Sequence, residues 1–418
     1  MGPNGFAGGH GLSEPILGQG IARFGPFILA GVVFNLSLAL NIFAFGSGFG
    51  TPEALAGMFD ARHFTETGSA LLSGTAPPQG RVSFSGYLYP VVAAAFAALS
   101  PLVLIVVQTA AVAFGAWFLA STEQRLTGRM RFSPLAAFSV SLLLAPGQMM
   151  SEAFAFFTLS AAVRALIERD RAPVGVGLLA VAALLKPALI PVLVLSLPAL
   201  FPIRRASLAV AGFALALFAS QLAVSYAVDG AARLSTAGGL FFSDRFYPAV
   251  YGEAEGLGFT AYNSPAADAA RAERPEPRAQ AGYLLAHPGP AFRAWEHILW
   301  ERHLTETTGF APRSHASMRP EAAELFRRAS AALNRVFLAT GLLGLIGSLV
   351  FVARTGWRHW PAALVAPALL ATAPLVYWQG DRIVTLPLLV LLPFAGLALA
   401  RLPGFAPRPP EVGYSAAT

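Results

Sequence analysis

Long hydrophobic runs separated by short polar segments dominate the sequence. Runs such as PFILAGVVFNLSLALNIFAF from Pro26 and PLVLIVVQTAAVAFGAWFLA from Pro101 reach the roughly 20 apolar residues that a helix needs to cross a bilayer. The pattern therefore predicts an all-α polytopic membrane protein with about ten transmembrane helices. The predicted spans are residues 24–45, 101–120, 134–148, 149–167, 174–186, 187–202, 207–227, 333–353, 360–378 and 383–400.

The composition agrees with a membrane protein. Of 418 residues, 55% are hydrophobic and 12% are charged, whereas about 25% of the residues in soluble domains are charged. The net charge of +7 comes from arginines in loops and not from a basic stripe, so no nucleic-acid partner is expected. The absence of cysteine excludes disulfides and thiolate metal sites.

The positions of the arginines predict the orientation of the chain. If the N-terminus is cytoplasmic, every short inside loop carries arginine, as the positive-inside rule requires. This topology gives a multi-pass protein with its large loops on the non-cytoplasmic side, and the family resemblance described below implies that the membrane is a bacterial inner membrane. Its predicted segments are a cytoplasmic tail 1–23, a membrane domain 24–227 with a first periplasmic loop 46–100, a periplasmic loop region 228–332, C-terminal membrane helices 333–402 and a cytoplasmic tail 403–418.

The topology depends on a break at Lys186 and Pro187. Lys186 is the only lysine among 29 formal cations and lies within the apolar run LLAVAALLKPALIP. Proline disfavours helical geometry at the preceding residue, so residues 174–202 are expected to form a two-helix hairpin bent at Lys186. An ionisable residue within an apolar span suggests a functional role, although a lysine side chain can also extend to the head-group layer.

Other ionisable residues fall at the predicted outer ends of helices. They are Asp60, Arg62, His63, Glu152, Asp381 and Arg382. Structural explanations also exist. Asp60 could cap a helix, and Glu152 could be an acid that the helix dipole stabilises in the first turn. Asp381 and Arg382 could form a local ion pair that caps a helix. The shared position of all these residues on one side of the membrane favours a functional interpretation.

The outer segments contain predicted helices of their own. In the first loop, YLYPVVAAAFAAL is too short to span and is expected to form an interfacial helix. In the second, helices are expected in PAFRAWEHILWERHL and PEAAELFRRASAALNRVFL. The former places aromatic and polar side chains together, in a pattern that suits a sugar or a lipid head group but also an amphipathic helix on the membrane: Trp295, His297, Trp300, Arg302 and His303.

The order of several motifs resembles the GT-C superfamily of membrane glycosyltransferases, in particular bacterial relatives of protein O-mannosyltransferases and of the lipid A aminoarabinose transferase. These motifs are FDARHFTETGSALLSG, GYLYP, SEAFAFFTLSAAVRALIERDRAPVGVGLLAVAALLKP, AGYLLAHPGPAFRAWEHILWERHL and DRIVTLPLLVLLPF. The resemblance implies that Asp60, with Phe64 four residues later, is the catalytic base or lies beside it, and we take it as the candidate base. It also matches Ser151-Glu152, Lys186-Pro187 and Arg382 to family positions. Many members have a second acid where this chain has Ala61.

The resemblance implies inverting transfer of a sugar from a polyprenyl-phosphate donor to a lipid, glycan or protein acceptor on the periplasmic side. Cations at the outer head-group level would hold the phosphate, and Lys186 and Arg382 are suited to this. Arg62, His63 and Asp381 would help to orient the substrates. Glu152 would either orient the donor or acceptor or hold Lys186 or Arg382 in place. No cofactor is expected, and a divalent metal stays an open alternative.

Two other functions stay open. A flippase or transporter of a lipid-linked sugar would place its charges near the midplane of the membrane. A polymerase or ligase of lipid-linked glycans would rely on His297, Arg302 and His303 in the second outer loop.

Overall fold

A computed structural model describes most of the chain. The described residues are 16–55, 57, 59–201, 205–236, 242–260, 264–300, 318–356, 359–372 and 381–399. Regular structure within these ranges is entirely helical. The α-helices are α1 Ile16–Phe45, α2 Pro52–Leu55, α3 Phe59–Leu72, α4 Arg81–Ser85, α5 Leu88–Leu99, α6 Pro101–Thr127, α7 Val140–Leu144, α8 Glu152–Leu166, α9 Ala172–Leu185, α10 Ile190–Ser196, α11 Arg205–Asp229, α12 Tyr247–Ala254, α13 Pro265–Glu273, α14 Pro277–Ala286, α15 Pro288–His297, α16 Pro320–Thr355, α17 Trp360–Thr372 and α18 Asp381–Leu399.

Four described helices are long and apolar enough to cross a membrane. The four membrane-crossing stretches are Phe24–Gly48, which is most of α1 with the 3₁₀ turn that follows it, Pro101–Thr127, Arg205–Asp229 and Pro320–Thr355. Shorter apolar helices cover Leu88–Leu99, Ala172–Leu185, Pro187–Leu200, Trp360–Thr372 and Thr385–Leu399. The all-helical architecture and the long apolar helices indicate a membrane protein, while the number of about ten spans stays a prediction.

Two predicted segments differ from the observed helices. The predicted span 134–148 is not a single helix, because 3₁₀ turns at Ser133–Phe138 and Ala145–Gln148 flank the short α7. Residues 333–353, predicted as a separate span, form the later part of the continuous α16. The predicted domain boundary at residue 332 therefore falls inside a helix.

Glycines bring α16 and α18 into close contact. A Cβ atom on Gly344 would lie 2.4 Å from the backbone oxygen of Leu391, and one on Gly347 would lie 1.8 Å from that of Phe394. A Cβ atom on Gly341 would likewise meet the side chain of Leu388. Because residue numbers rise together along both helices, α16 and α18 run parallel. Small residues at such an interface permit close helix packing in membranes.

One end of the bundle gathers several helix junctions, and we call it the junction face. At this face Arg319, just before α16, donates its backbone N–H to the carbonyl oxygen of Ala44 in α1. Asp229, at the end of α11, accepts hydrogen bonds from the backbone N–H groups of Gly80 and Ser83 around α4. Gly86 lies against the carbonyl oxygen of Leu184 near the end of α9.

The opposite helix ends carry arginine. Arg125 and Arg164 lie in the last turns of α6 and α8, Arg205 begins α11, and Arg354 lies in the last turn of α16. At this arginine-bearing end, the buried carboxylate of Glu123 accepts backbone hydrogen bonds from residues 131–133. The carboxylate thereby fixes the turn after α6.

Helices α12 to α15 form a small unit with its own buried cluster, which includes Tyr247, Val250 and Ile298. The indole N–H of Trp295 in α15 donates to the carbonyl oxygen of Ala371 near the end of α17, at 2.8 Å. The helix predicted in PAFRAWEHILWERHL is thus present as α15, and its last residues, Arg302 and His303 among them, lie outside the described residues.

Candidate functional site

The only lysine of the chain forms a buried ion pair with Glu152. The Lys186 Nζ atom lies 2.7 Å from Glu152 Oε1, and the side chains are 11% and 4% exposed, respectively. The pair joins the end of α9 to the first residue of α8. Two residues that the sequence analysis selected separately therefore form one unit.

The position of Lys186 follows from a break in the helix. α9 ends at Leu185, and Lys186 has an extended backbone with φ −143° and ψ 96°. A 3₁₀ turn begins at Pro187, as the preference of residues before proline predicts. The Lys186 N–H still donates to Ala182, at 2.8 Å. The break thus points the chain away from the helix axis at the residue that carries the charge.

A tightly held turn places Glu152. Met149 has φ 49°, the only positive φ of a described residue other than glycine, and its side chain is buried. Such a conformation persists only where the surroundings fix it. Ser37 and Asn41 both donate to the carbonyl oxygen of Leu143. Gln108 donates to that of Pro146, at 2.9 Å.

Helix α3, which carries Asp60, packs against the same turn. The hydroxyl of Thr65 donates to Met149 Sδ at 3.1 Å. Ala61 shares one buried cluster with Met149 and with Leu185, the neighbour of Lys186. Asp60 lies in the first turn of α3, and its side chain is outside the described part of the structure. The structure thus brings the helix of Asp60 to the Glu152–Lys186 region.

His63 is buried and contacts an arginine that the sequence analysis did not select. The Arg81 Nη1 atom lies 3.0 Å from His63 Nδ1, and His63 is 4% exposed. Because a guanidinium can only donate, Nδ1 of His63 is the acceptor and its ring proton is on Nε2. Arg81 begins α4, next to Gly80, which Asp229 binds. Nothing in the sequence spacing links residues 63 and 81, so only the fold reveals this pair.

Arg62 faces away from this group. Its side chain is 75% exposed and pairs with Glu66 on the next turn of α3, at 2.8 Å. Exposed pairs of this spacing contribute little to stability. The structure therefore does not bring Arg62 to the Glu152–Lys186 pair.

Asp381 and Arg382 are the first two residues of α18, and their side chains lie outside the described part. Gly341 of α16 faces Leu388 of α18. Asn334 and Asp381 lie equally far before these two residues. Because the two helices run parallel, Asp381 lies at the level of Asn334.

The aromatic residues of α15 have structural partners. The ring of His297 stacks on Phe259, with centroids 4.3 Å apart, and Trp300 is half exposed. Nearby, the guanidinium of Arg274 lies 4.3 Å from the centroid of Tyr283. Burial, together with the hydrogen bond to Glu255, raises the pKa of Tyr283 to about 12. Contacts within the unit of α12 to α15 thus account for the positions of His297 and Tyr283.

No group of three or more histidine, cysteine, aspartate or glutamate side chains suited to a metal ion occurs among the residues that the structure describes. Comparisons with protein families, curated proteins and solved structures found no match to this chain.

Proposed function

We propose that the protein is an inverting glycosyltransferase of the bacterial inner membrane that uses a polyprenyl-phosphate sugar donor. The observation that carries this proposal is the buried Glu152–Lys186 pair on the junction face. A cation fixed beside an acid at a helix break is suited to hold the phosphate of a lipid whose tail lies in the bilayer. Arginines at the opposite helix ends favour a cytoplasmic position for those ends and hence a periplasmic junction face.

The chemistry requires a base, a phosphate-binding cation and an acceptor. An acceptor hydroxyl would attack the anomeric carbon while the bond from that carbon to the phosphate oxygen breaks. Asp60 would take the proton, and polyprenyl phosphate would leave. Lys186 has three N–H bonds to donate, one of which is directed at Glu152. The others can meet the charge that grows on the phosphate, and Arg382 would add a second cation.

Glu152 has the role of holding Lys186 in this proposal. A lysine side chain is long and flexible, and an ion pair with a fixed carboxylate limits where its ammonium group lies. His63, on the same helix as Asp60, and Arg81, at the start of α4, would support the base. The acceptor class, whether lipid, glycan or protein, stays open.

The first test is transfer from labelled polyprenyl-phosphate sugars by the purified full chain in nanodiscs. We expect Asp60→Asn to lower the transfer rate by about 100-fold or more, because an amide cannot accept the proton. Donor binding, measured by retention of the labelled lipid, should stay within about twofold. Glu66→Gln on the same helix, an exposed acid, is the matched control and should keep wild-type transfer.

Equal transfer by wild type and Asp60→Asn would refute the role of Asp60. If no labelled donor is consumed but lipid-linked glycans become longer, the protein is a polymerase. If labelled lipid only changes leaflet, it is a flippase.

A further inference from the structure

A row of exposed residues runs along α16. Its members are Arg328, Arg335, Leu342, Ile346 and Leu349. Spacings of three, four and seven residues place side chains on the same side of a helix, so these five lie on one face, which we call the exposed face of α16. The helix is long and apolar enough to cross a membrane. The three apolar members, which are 53–63% exposed, are therefore placed to contact lipid tails.

The exposed face points away from α18. A Cβ atom on Gly344 would lie 2.4 Å from the backbone of α18, so Gly344 marks the side of α16 that faces α18. Arg335 lies nine residues before Gly344, which is about two and a half turns and therefore the opposite side of the helix. Arg328 has the same relation to Phe337, which is buried in the main hydrophobic core. Both arginines thus point away from the bundle.

Arg335 has no ion pair among the residues that the structure describes. Its neighbours toward the start of α16, Arg327 and Arg328, both pair with Glu324 at 2.7 Å. A guanidinium keeps its charge and offers five N–H donors, and a charge on a membrane helix is costly without a partner. Arg335 therefore needs acceptors that the described residues do not supply.

The register of α16 and α18 gives the depth of Arg335 in the membrane. Because Gly344 faces Leu391, Arg335 lies level with the second residue of α18. Both helices enter their predicted membrane spans at this level, so Arg335 is placed where the hydrocarbon core meets the head groups. From there the exposed face continues inward to Leu349 for about 21 Å, which exceeds the roughly 15 Å of hydrocarbon in one leaflet.

A lipid phosphate group is the acceptor that matches this position. Phosphate groups lie at the level of the head groups, and the planar fork of arginine binds their oxygens through two parallel hydrogen bonds. The charged residues in the first half of α16 are Glu321, Glu324, Arg327, Arg328 and Arg335. Three arginines and two glutamates give a net charge of +1, which favours an anionic lipid over a zwitterionic one.

We propose that the exposed face of α16 binds an anionic glycerophospholipid of the leaflet at the N-terminal end of the helix. Arg335 binds the phosphate group, and the acyl chains lie along Leu342, Ile346 and Leu349. This face points out of the bundle, whereas Lys186 is nearly buried within it, so a phosphate that pairs with Lys186 lies elsewhere. The lipid site thus differs from the proposed donor site and does not depend on the transfer reaction.

Photolabelling of the full chain tests this site. The protein is placed in nanodiscs of phosphatidylcholine that contain a small share of one probe. The probes are phosphatidylglycerol and phosphatidylcholine with the same photoreactive acyl chains, and a photoreactive polyprenyl phosphate. Mass spectrometry of chymotryptic peptides then measures how much of each probe attaches to residues 336–355 of α16, relative to attachment over the whole protein.

We expect phosphatidylglycerol to label these peptides about fivefold more than phosphatidylcholine, which is the effect of one basic residue near anionic lipid. Arg335→Gln should lower this ratio to about one, because glutamine carries no charge. Arg335→Lys should keep part of the ratio, because lysine retains the charge but not the planar fork.

Arg278→Gln is the matched control. Arg278 is an exposed arginine of α14, which is not among the apolar helices, and it too has no ion pair with a described residue. Its substitution removes the same charge from the protein and should leave the labelling ratio unchanged.

The unfolding temperature in phosphatidylcholine alone separates lipid binding from folding. Because Arg335 has no partner among the described residues, Arg335→Gln should unfold at the wild-type temperature. A clear fall would mean that Arg335 has a partner in the protein and would contradict the proposal. Equal labelling by the two phospholipids in the wild type, a ratio that survives in Arg335→Gln, or labelling that depends on Arg335 for polyprenyl phosphate alone would also overturn it.

Discussion

Lys186 and Glu152 combine charge, burial and a break in the backbone. Two charges removed from water stabilise a protein little as a pair, since their attraction is offset by desolvation. Removing one partner is different, because the other charge is left buried. The pair is thus a sensitive point of the structure whether or not it binds substrate.

Single substitutions of this pair should be strongly destabilising. We expect Lys186→Met or Glu152→Leu alone to lower the free energy of unfolding by about 3–5 kcal/mol. With both substitutions combined, most of the loss should disappear, because no charge stays buried. The measurement is thermal and denaturant unfolding of the purified protein in detergent.

Arg62→Gln provides the comparison, since it breaks the exposed pair with Glu66 and should change stability by less than about 1 kcal/mol. Additive losses in the double variant, or single variants as stable as Arg62→Gln, would contradict the buried pair.

The sequence indicated some of these residues but not their partners. Lys186 could be selected because a lone cation in an apolar run before proline is unusual. Its pairing with Glu152 depends on how α8 packs on α9, which spacing alone does not specify. The contact of His63 with Arg81 and the left-handed backbone of Met149 depend on tertiary contacts in the same way.

At the scale of elements, α16 and α18 are the clearest case of packing that depends on glycine. Each Gly of the series Gly341, Gly344 and Gly347 lies where a Cβ atom would meet the facing helix. The chain therefore uses three residues without side chains to let two parallel helices approach.

Gly347→Ala should separate these helices. A Cβ atom 1.8 Å from the Phe394 oxygen cannot be accommodated without backbone movement, so we expect a loss of about 1–3 kcal/mol in unfolding free energy. Gly212→Ala in α11 is the matched control, because no atom lies within 4 Å of its Cβ position. Alanine there should be neutral or slightly stabilising. Similar effects of the two substitutions would contradict the close packing.

Hydrophobic length predicted the long helices well and the short ones poorly. α6 and α11 match apolar runs bounded by polar residues, and the break after α9 follows from Pro187. The segment 134–148 is equally apolar, yet 3₁₀ turns interrupt it on both sides of α7. In this segment Ser37 and Asn41 donate hydrogen bonds to the carbonyl oxygen of Leu143, and Gln108 donates to that of Pro146. These donors come from other helices, so the hydropathy of residues 134–148 alone does not reveal the turns.

For the whole molecule, the main prediction concerns sidedness. Helix ends with arginine lie opposite the junction face, which favours a cytoplasmic arginine-bearing end. Because the natural sequence has no cysteine, single cysteines give an unambiguous readout. We expect an impermeant maleimide to label Gln79→Cys in intact spheroplasts, and to label Ala353→Cys only after the cells are opened.

Residues 79 and 353 are both exposed in the structure, so a difference in labelling would report the side of the membrane and not burial of one side chain. Labelling of Ala353→Cys but not of Gln79→Cys in intact spheroplasts would reverse the orientation. The Glu152–Lys186 pair would then face the cytoplasm, and a periplasmic reaction would be excluded.

The most direct test of the central claim is sugar transfer by the double variant Glu152→Leu/Lys186→Met, measured with labelled polyprenyl-phosphate donors beside its unfolding temperature. If Lys186 binds the donor phosphate, the double variant should regain most of the stability lost in the single variants, yet its transfer rate should stay roughly 100-fold or more below wild type. A folded double variant that transfers sugar within about threefold of the wild-type rate would contradict the claim, because the pair would then be structural only.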